Sequence, residues 1–148
     1  MLIGSFGHAL DAKGRVFIPA RWRDSLGDAV IVMMGLLPDT ELRCLFCMSL
    51  TEWDAFGARL SQLPVTDMAG QAVRRRLYAS AAACEIDKQG RILLPQNLRD
   101  LSGIKKDATL IGVGNRFEIW DPEQLDKHNA AVDRDYGAVL THLSELGI

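Results

Sequence analysis

A short stretch occurs twice in this chain and constrains its fold more than any other feature. DAKGRVFIP, at 11–19, returns 76 positions later as DKQGRILLP, at 87–95. At this offset, residues 11–24 and 87–100 share Asp, Gly, Arg, Pro, Arg and Asp, six identities in fourteen positions. Such an internal duplication indicates that two copies of one structural unit make up most of the chain.

Each copy is predicted to begin with a tight turn that leads into a buried strand. Asp11 and Asp87 suit the first position of a type I turn, because the carboxylate can accept a hydrogen bond from the backbone N–H two residues on. Gly14 and Gly90 suit the turn position that needs a positive φ. Three apolar residues then form the strand, and a proline introduces a short helix in each copy.

A second hairpin and a longer helix are predicted to complete each copy. In the second copy two apolar strands flank Gly114-Asn115, which is typical of a two-residue turn. In the first copy the corresponding strands are separated by a longer loop at 35–42. Ser49 and Asp121 are predicted to cap the helices that follow. The segment at 66–81 between the copies is also predicted to be helical, with an apolar side that includes Met68, Ala72 and Leu77.

The size of the repeat predicts how the two copies combine. A unit of some forty residues rarely buries a stable core alone, so we expect the copies to interleave about a pseudo-twofold axis and share one core. The predicted class is α+β with a mainly β core. The predicted domains are a first repeat at 5–50, a helical connector at 51–80, a second repeat at 81–124 and a C-terminal helix at 125–148.

The net charge of −2 leaves two interpretations of the surface open. Residues 118–148 carry seven acids and two bases, a net of −5, so the other 117 residues carry +3. This basic excess could bind a polyanion if the cations cluster on one face. On charge alone, an ordinary solvated surface is the favoured interpretation.

Four cations stand at the predicted turns and are the first candidates for nucleic-acid binding: Lys13, Arg15, Lys88 and Arg91. Charges at exposed turn tips can serve solubility alone, but two matched turns with arginines favour a binding role. The planar arginine fork suits phosphate oxygens and guanine edges, and a two-stranded ribbon fits the major groove of DNA. Asp11 and Asp87 are close enough along the chain to brace these arginines.

Further arginines have less certain roles. Arg74 and Arg75 belong to a run of three in the predicted connecting helix, and they could reach phosphate. Because three successive residues spread around a helix, at least one of the run is expected to face inward or toward the acidic C-terminal helix. Arg21, Arg23 and Arg99 follow the repeated strand, and on sequence grounds pairing within the molecule has at least equal weight for them with a role in binding.

Catalytic, metal and membrane functions find little support in the sequence. Cys44 and Cys47 have a C-x-x-C spacing, but on a strand residues three apart point to opposite faces, which does not suit a metal or redox pair. Cys84 has no evident partner, and the three histidines form no ligand motif. We therefore expect no enzyme activity, cofactor or metal. The apolar run at 29–37 is too short to span a bilayer.

The repeated motif, D-x-x-G-R followed by a strand, proline and L/W-R, resembles the swapped-hairpin group that includes AbrB, MazE and SpoVT. Its tandem arrangement, with VRRRL between the copies and FEIWD at 117–121, is similar to the MraZ family of bacterial transcription regulators. The resemblance implies AbrB-like half-barrels that bind DNA through turns 11–15 and 87–91. It further implies a nucleoid-associated, cytoplasmic, ring-like homo-oligomer that acts on G-rich boxes in its own promoter and in the division and cell-wall gene cluster.

An antitoxin-like interaction protein is the main alternative, since swapped-hairpin antitoxins carry a tail that wraps a toxin. The last helix is instead expected to run through 122–146 with an apolar seam, which favours a folded tail. Its members are Val132, Tyr136, Val139, Leu143 and Leu146. This seam and a stripe of Trp53, Phe56 and Leu60 are the candidate surfaces for self-assembly, or they pack within one chain.

Overall fold

The computed structural model describes residues 1–38 and 40–148, so Asp39 in the predicted loop 35–42 lies outside the described residues. The strands are β1 (Leu2–Ala9), β2 (Arg15–Phe17), β3 (Ala29–Met34), β4 (Leu45–Ser49), β5 (Ala82–Glu85), β6 (Arg91–Leu93), β7 (Asp107–Gly114) and β8 (Phe117–Trp120). The helices are α1 (Ala20–Leu26), α2 (Leu50–Leu60), α3 (Met68–Ser80), α4 (Gln96–Ser102), α5 (Pro122–Arg134) and α6 (Tyr136–Glu145). None of the helices in the described ranges is long and apolar enough to cross a membrane.

The strands form one large antiparallel sheet and one small ribbon. The six-stranded sheet has the order β1-β7-β8-β4-β3-β5, and β2 pairs with β6 in a separate two-stranded sheet. By the repeat, β1, β3 and β4 of the first copy correspond to β5, β7 and β8 of the second. Exchanging each strand for its counterpart gives the same strand order read in the opposite direction. The pairing pattern therefore follows the sequence duplication, and β1–β7, β2–β6, β3–β5 and β4–β8 all join one repeat to the other.

The main hydrophobic core is built from both repeats. Val16 and Trp22 of the first copy and Ile92 and Leu98 of the second are fully buried in the same cluster. Neither copy could bury these side chains alone, since each strand of the ribbon finds its partner in the other copy. The predicted α+β class is confirmed, and the large sheet is antiparallel. The swapped-hairpin description and the four-part domain division stay predictions.

Local signals placed most element boundaries correctly. The short helices after the repeated strands begin behind Pro19 and Pro95, which are N-caps with φ of −50° and −60°. Pro has its φ fixed near this value, so it ends the strand and directs the chain into the helix. The predicted caps are also confirmed, because the Ser49 side chain accepts a hydrogen bond from the Glu52 N–H and Asp121 accepts one from the Gln124 N–H.

The prediction of one continuous helix through 122–146 is wrong. The chain leaves the helical conformation at Asp135, with φ −132° and ψ 35°, and this residue separates α5 from α6. Asp is a poor helix former, and Gly137 just beyond it weakens the helix further. The apolar residues of α6 are exposed, including Tyr136, Val139 and Leu143.

The apolar side predicted for the connecting helix is only partly buried. Leu77 is fully buried in α3, but Met68 is 80% exposed and Ala72 is also exposed, so their assignment to a packed face is wrong. Helical periodicity identifies a face but not whether anything covers it. By contrast, Trp53 and Phe56 of α2 pack against a second core cluster on the other side of the sheet.

Candidate nucleic-acid interface

The first repeated turn is closed by Asp11. Its Oδ1 atom accepts hydrogen bonds from the backbone N–H groups of Lys13 at 3.0 Å and Arg15 at 2.9 Å. Its carbonyl accepts a bond from the Gly14 N–H at 3.0 Å, and Gly14 has φ 88°. One carboxylate thus accepts hydrogen bonds from two amides of the turn that precedes β2. The predicted roles of Asp11 and Gly14 in this turn are confirmed.

The second turn repeats this geometry in the other copy. Asp87 Oδ1 accepts bonds from the N–H groups of Gln89 and Arg91, both at 2.9 Å, and the Gly90 N–H binds the Asp87 carbonyl at 2.9 Å. Gly90 has φ 86°. The change from lysine to Gln89 before the glycine leaves the backbone unaffected, because only the amide of that residue is used.

Each aspartate also holds the guanidinium of its turn. The Nε atom of Arg15 lies 2.5 Å from Asp11 Oδ2, and Nε of Arg91 lies 2.9 Å from Asp87 Oδ2. Within the described residues no acceptor binds the terminal amino groups of Arg15. The braced arginine therefore keeps its terminal fork for an outside acceptor, and its rotamer freedom is already reduced before anything binds.

The two braced arginines converge although their turns lie at opposite ends of the ribbon. A terminal nitrogen of Arg91 is 3.7 Å from Asp11 Oδ2, the atom that Arg15 also contacts. The nitrogens of the two guanidiniums that meet at this carboxylate oxygen are therefore no more than about 6 Å apart. The side chains of Arg15 and Arg91 are 32% and 20% exposed, so the expectation of freely solvated cations at turn tips is wrong for them.

The turn geometry keeps both aspartates ionised. The hydrogen bond from the Arg15 backbone N–H is the main cause that lowers the pKa of Asp11 from 3.8 to about 2, and the Arg15 guanidinium and the Lys13 N–H act in the same direction. The pKa of Asp87 is lowered in the same way, chiefly by the backbone N–H of Arg91. Both carboxylates are charged at neutral pH and can brace the arginines.

Two further arginines, Arg23 and Arg99, each contact the turn of the other repeat. Arg99 donates from Nε to the Leu94 carbonyl at 3.0 Å, and its guanidinium lies so close to Gly14 that a Cβ there would be 2.6 Å from it. Arg23 donates to the Ile18 carbonyl at 2.9 and 3.1 Å, and it lies against Gly90 in the same way. Each copy thus packs an arginine on the turn of the other.

Arg21 is exposed, with its guanidinium 5.7 Å from the centre of the Phe6 ring. Arg23 and Arg99 follow the intramolecular alternative, but their contact with the opposite turn was not foreseen. Both are identities of the repeat, which was the available signal. What the sequence did not supply is the strand register, since the contact follows from the pairing of Val16 with Ile92. Gly14 and Gly90 are consequently required both by their positive φ and by the close approach of a guanidinium.

The surface around the ribbon is strongly basic in an acidic chain. Lys13 and Lys88 are exposed beside the turns, as predicted. The two turns and the arginines packed against them contain six cations and two carboxylates, a net of +4 for these eight residues; they are Lys13, Arg15, Arg23, Lys88, Arg91 and Arg99, with Asp11 and Asp87. The local charge is thus opposite in sign to that of the whole chain, which is −2. Such a patch can attract a polyanion.

Within residues 1–38 and 40–148, Arg74 and Arg75 form no hydrogen bond or ion pair with this site. They lie on α3, which packs on β3. The Arg74 guanidinium lies 5.8 Å from the centre of the Tyr78 ring, and Arg75 is exposed. In the described part of the chain no residue of the arginine run forms an ion pair with the acidic helix, but Arg74 is half-buried while Arg75 and Arg76 are exposed, which agrees with the expectation that one member of the run faces inward.

The cysteines are packing residues. Cys44 and Cys47 are buried in different core clusters, on opposite faces of the sheet, and Cys84 is buried in the same cluster as Cys47. Burial raises the pKa of Cys44 to about 12 and that of Cys84 to about 11, so these thiols stay protonated. Among residues 1–38 and 40–148, no three His, Cys, Asp or Glu side chains come together in an arrangement that could hold a metal.

These features define a tandem-repeat α+β protein with two aspartate-braced arginine turns on one basic surface. The family model described as "MraZ protein, putative antitoxin-like" matches residues 1–76 and again 77–135. The chain belongs to the MraZ family.

Relatives named "Transcriptional regulator MraZ" match over full length. The protein of Thermoanaerobacter pseudethanolicus is 45% identical and that of Acetivibrio thermocellus 41% identical, each over 148 residues and all of both chains. Among solved structures, "The solution structure of PHS018 from pyrococcus horikoshii" is similar with 18% identity and a TM-score of 0.35, and it covers 80% of this chain and 88% of that one. This similarity is too low to bear on the fold.

Proposed function

We propose that this protein is a sequence-specific DNA-binding transcriptional regulator and that the turns 11–15 and 87–91 contact the bases of DNA. The observation that carries the proposal is the convergence of Arg15 and Arg91, each braced by its own aspartate, with Arg15 keeping its terminal fork free. Two parallel N–H donors match the O6 and N7 acceptors of guanine in the major groove. The names of the relatives, "Transcriptional regulator MraZ", support the regulatory part of this proposal.

The site favours a major-groove reader over a purely electrostatic binder. Lys13 and Lys88 stand outside the braced pair and are suited to the phosphates that border a groove. The arginines are held in place by hydrogen bonds, so their order is established before DNA arrives. In this proposal Arg74 and Arg75 make phosphate contacts on a neighbouring stretch of DNA.

We further propose a homo-oligomer with a closed, ring-like arrangement, which works in the nucleoid-associated cytoplasm on repeated G-rich boxes. Its targets are its own promoter and the division and cell-wall gene cluster. One basic patch with a net charge of +4 makes few phosphate contacts, so a single chain binds weakly at physiological salt. Repetition of the patch along one duplex raises the overall affinity by roughly 10²–10⁴ through effective concentration.

Alanine substitution tests the proposed base contacts of the two turns. Arg15→Ala and Arg91→Ala should each weaken binding to DNA from upstream of the protein's own gene by roughly 5- to 150-fold, the effect of losing one bidentate base contact. Fluorescence anisotropy at fixed salt measures this. Arg59→Ala removes the same charge from an exposed position on α2 and is the matched control. Equal affinities for Arg15→Ala, Arg91→Ala and this control would overturn the assignment.

An antitoxin-like interaction protein is the alternative function, and one observation favours it. The apolar residues Val139, Leu140 and Leu143 of α6 are between 42% and 48% exposed. Such a row suits a partner helix or a second copy of the chain. Light scattering distinguishes these partners, because self-assembly gives the pure protein a mass several times that of one chain. A monodisperse monomer would favour the alternative.

A further inference from the structure

The outer face of the β2–β6 ribbon carries two large apolar side chains next to the braced arginines. In both strands the middle residue, Val16 or Ile92, is fully buried, and the residues on either side point outward. Phe17 is 42% exposed and Leu93 is 53% exposed. Neither side chain contributes to the core clusters, so packing does not explain why these positions are apolar.

The strand register pairs each apolar side chain with an arginine of the other repeat. Arg15 lies opposite Leu93, and Phe17 lies opposite Arg91. The Arg91 guanidinium is 5.9 Å from the centre of the Phe17 ring, and the His8 ring lies on the same aromatic at 6.3 Å. The ring of Phe17 therefore has a guanidinium and an imidazole as neighbours, and the strand register gives the ribbon two matched units of one guanidinium and one apolar group.

We propose that Phe17 and Leu93 read the C5-methyl groups of thymines that neighbour the guanines bound by Arg91 and Arg15. This inference rests on the proposed DNA-binding function. The thymine methyl is the one apolar group that the bases of DNA present in the major groove. A guanidinium beside an exposed apolar side chain therefore complements a guanine next to a thymine, and a hydrocarbon contact that excludes water from the methyl group stabilises that sequence.

The two units differ in size, which makes the two halves of the reading surface unequal. Phe17 offers an aromatic face that is stiff and large, whereas Leu93 offers a smaller and more flexible group. We expect the thymine opposite Phe17 to contribute more than the thymine opposite Leu93. The repeats thus bind related but different half-sequences, although their turns have the same backbone geometry.

Deoxyuridine substitution tests this proposal, because it removes only the methyl group of thymine. Each thymine of a bound box is replaced in turn, and the dissociation constant is measured by anisotropy at fixed salt. The wild-type protein should lose about fourfold at one thymine per unit, the effect of one buried methyl group. Phe17→Ala should bind the thymine duplex and its deoxyuridine counterpart equally well when the replaced thymine is the one that Phe17 contacts. Leu93→Ala should do the same for the thymine that Leu93 contacts.

Two variants keep the result free of folding effects. Phe17→Leu retains a hydrocarbon contact and should preserve part of the discrimination, while Val113→Ala, an equally exposed apolar change on β7, should preserve all of it. The proposal is overturned if wild type tolerates deoxyuridine everywhere, or if Phe17→Ala keeps the wild-type loss at every thymine. A wild-type protein without sequence-specific binding would overturn the proposed function as well, so the two failures are distinguishable.

Discussion

Replacement of Gly90 by alanine tests the crossed arginines, which are the contact that joins the two repeats at the candidate site. Gly90 has φ 86°, and a Cβ at this position would collide with the guanidinium of Arg23. That guanidinium donates to the Ile18 carbonyl from two of its nitrogens. The alanine therefore imposes both an unfavourable backbone conformation and the displacement of a bonded side chain.

The magnitudes of these two effects can be separated with another glycine. Gly114 has φ 97°, and a Cβ there would meet nothing within 4 Å. Gly114→Ala should cost only the left-handed conformation, about 1–2 kcal/mol of unfolding free energy. Gly90→Ala should cost this amount and, in addition, about 1.5–3 kcal/mol for the charged hydrogen bonds of Arg23.

A double-mutant cycle with Arg23→Ala isolates the contact. In the Arg23→Ala background the side chain that the new methyl displaces is gone, so Gly90→Ala should cost only about 1–2 kcal/mol. Urea unfolding at one fixed protein concentration measures all four proteins, because self-association would make stability depend on concentration. Equal costs of Gly90→Ala in the two backgrounds would refute the crossed contact, and so would equal costs of Gly90→Ala and Gly114→Ala.

Three further outcomes follow from the turns and from α3. Gly14→Asn should unfold at higher urea than Gly14→Val, because Asn tolerates a positive φ and a β-branched residue does not; equal midpoints would contradict the turn geometry. Asp11 has a lowered pKa, so its ionised carboxylate stabilises the turn fully above about pH 4 and loses this effect as the pH falls toward about 2. The difference in unfolding free energy between wild type and Asp11→Asn, measured by urea titration, should therefore close over that pH range. Arg74→Ala should weaken all DNA sequences alike and flatten the salt slope by about one, whereas a loss confined to one sequence would contradict a phosphate contact.

The repeat allowed the local structure of the site to be predicted from the sequence. Asp11, Gly14 and their counterparts have side-chain and backbone requirements that are satisfied within five residues, so the turns, their positive φ angles and the braces to Arg15 and Arg91 follow from spacing alone. The short helices and their caps follow for the same reason.

Contacts that depend on register or on what covers a surface could not be predicted. Arg23 reaches Gly90 only because β2 pairs with β6 across the two repeats, and no local pattern encodes that register. The exposure of Met68 and the break at Asp135 are similar cases. Periodicity identifies an apolar helix face, but it does not say whether the rest of the chain covers that face. It can also continue in the sequence across a residue, such as Asp135, at which the backbone leaves the helix.

Methylation interference at guanine N7 tests the central claim most directly, because it reports on the major-groove acceptor that a braced arginine would bind. The nearest nitrogens of the two guanidiniums lie within about 6 Å of each other at Asp11, so the guanines that their terminal nitrogens contact should lie within a few base-pair steps of 3.4 Å. N7-methylation of two guanines within this span should block wild-type binding, and Arg15→Ala and Arg91→Ala should each lose sensitivity at a different one of them. Binding that is indifferent to N7-methylation, or two variants with the wild-type pattern, would contradict this claim.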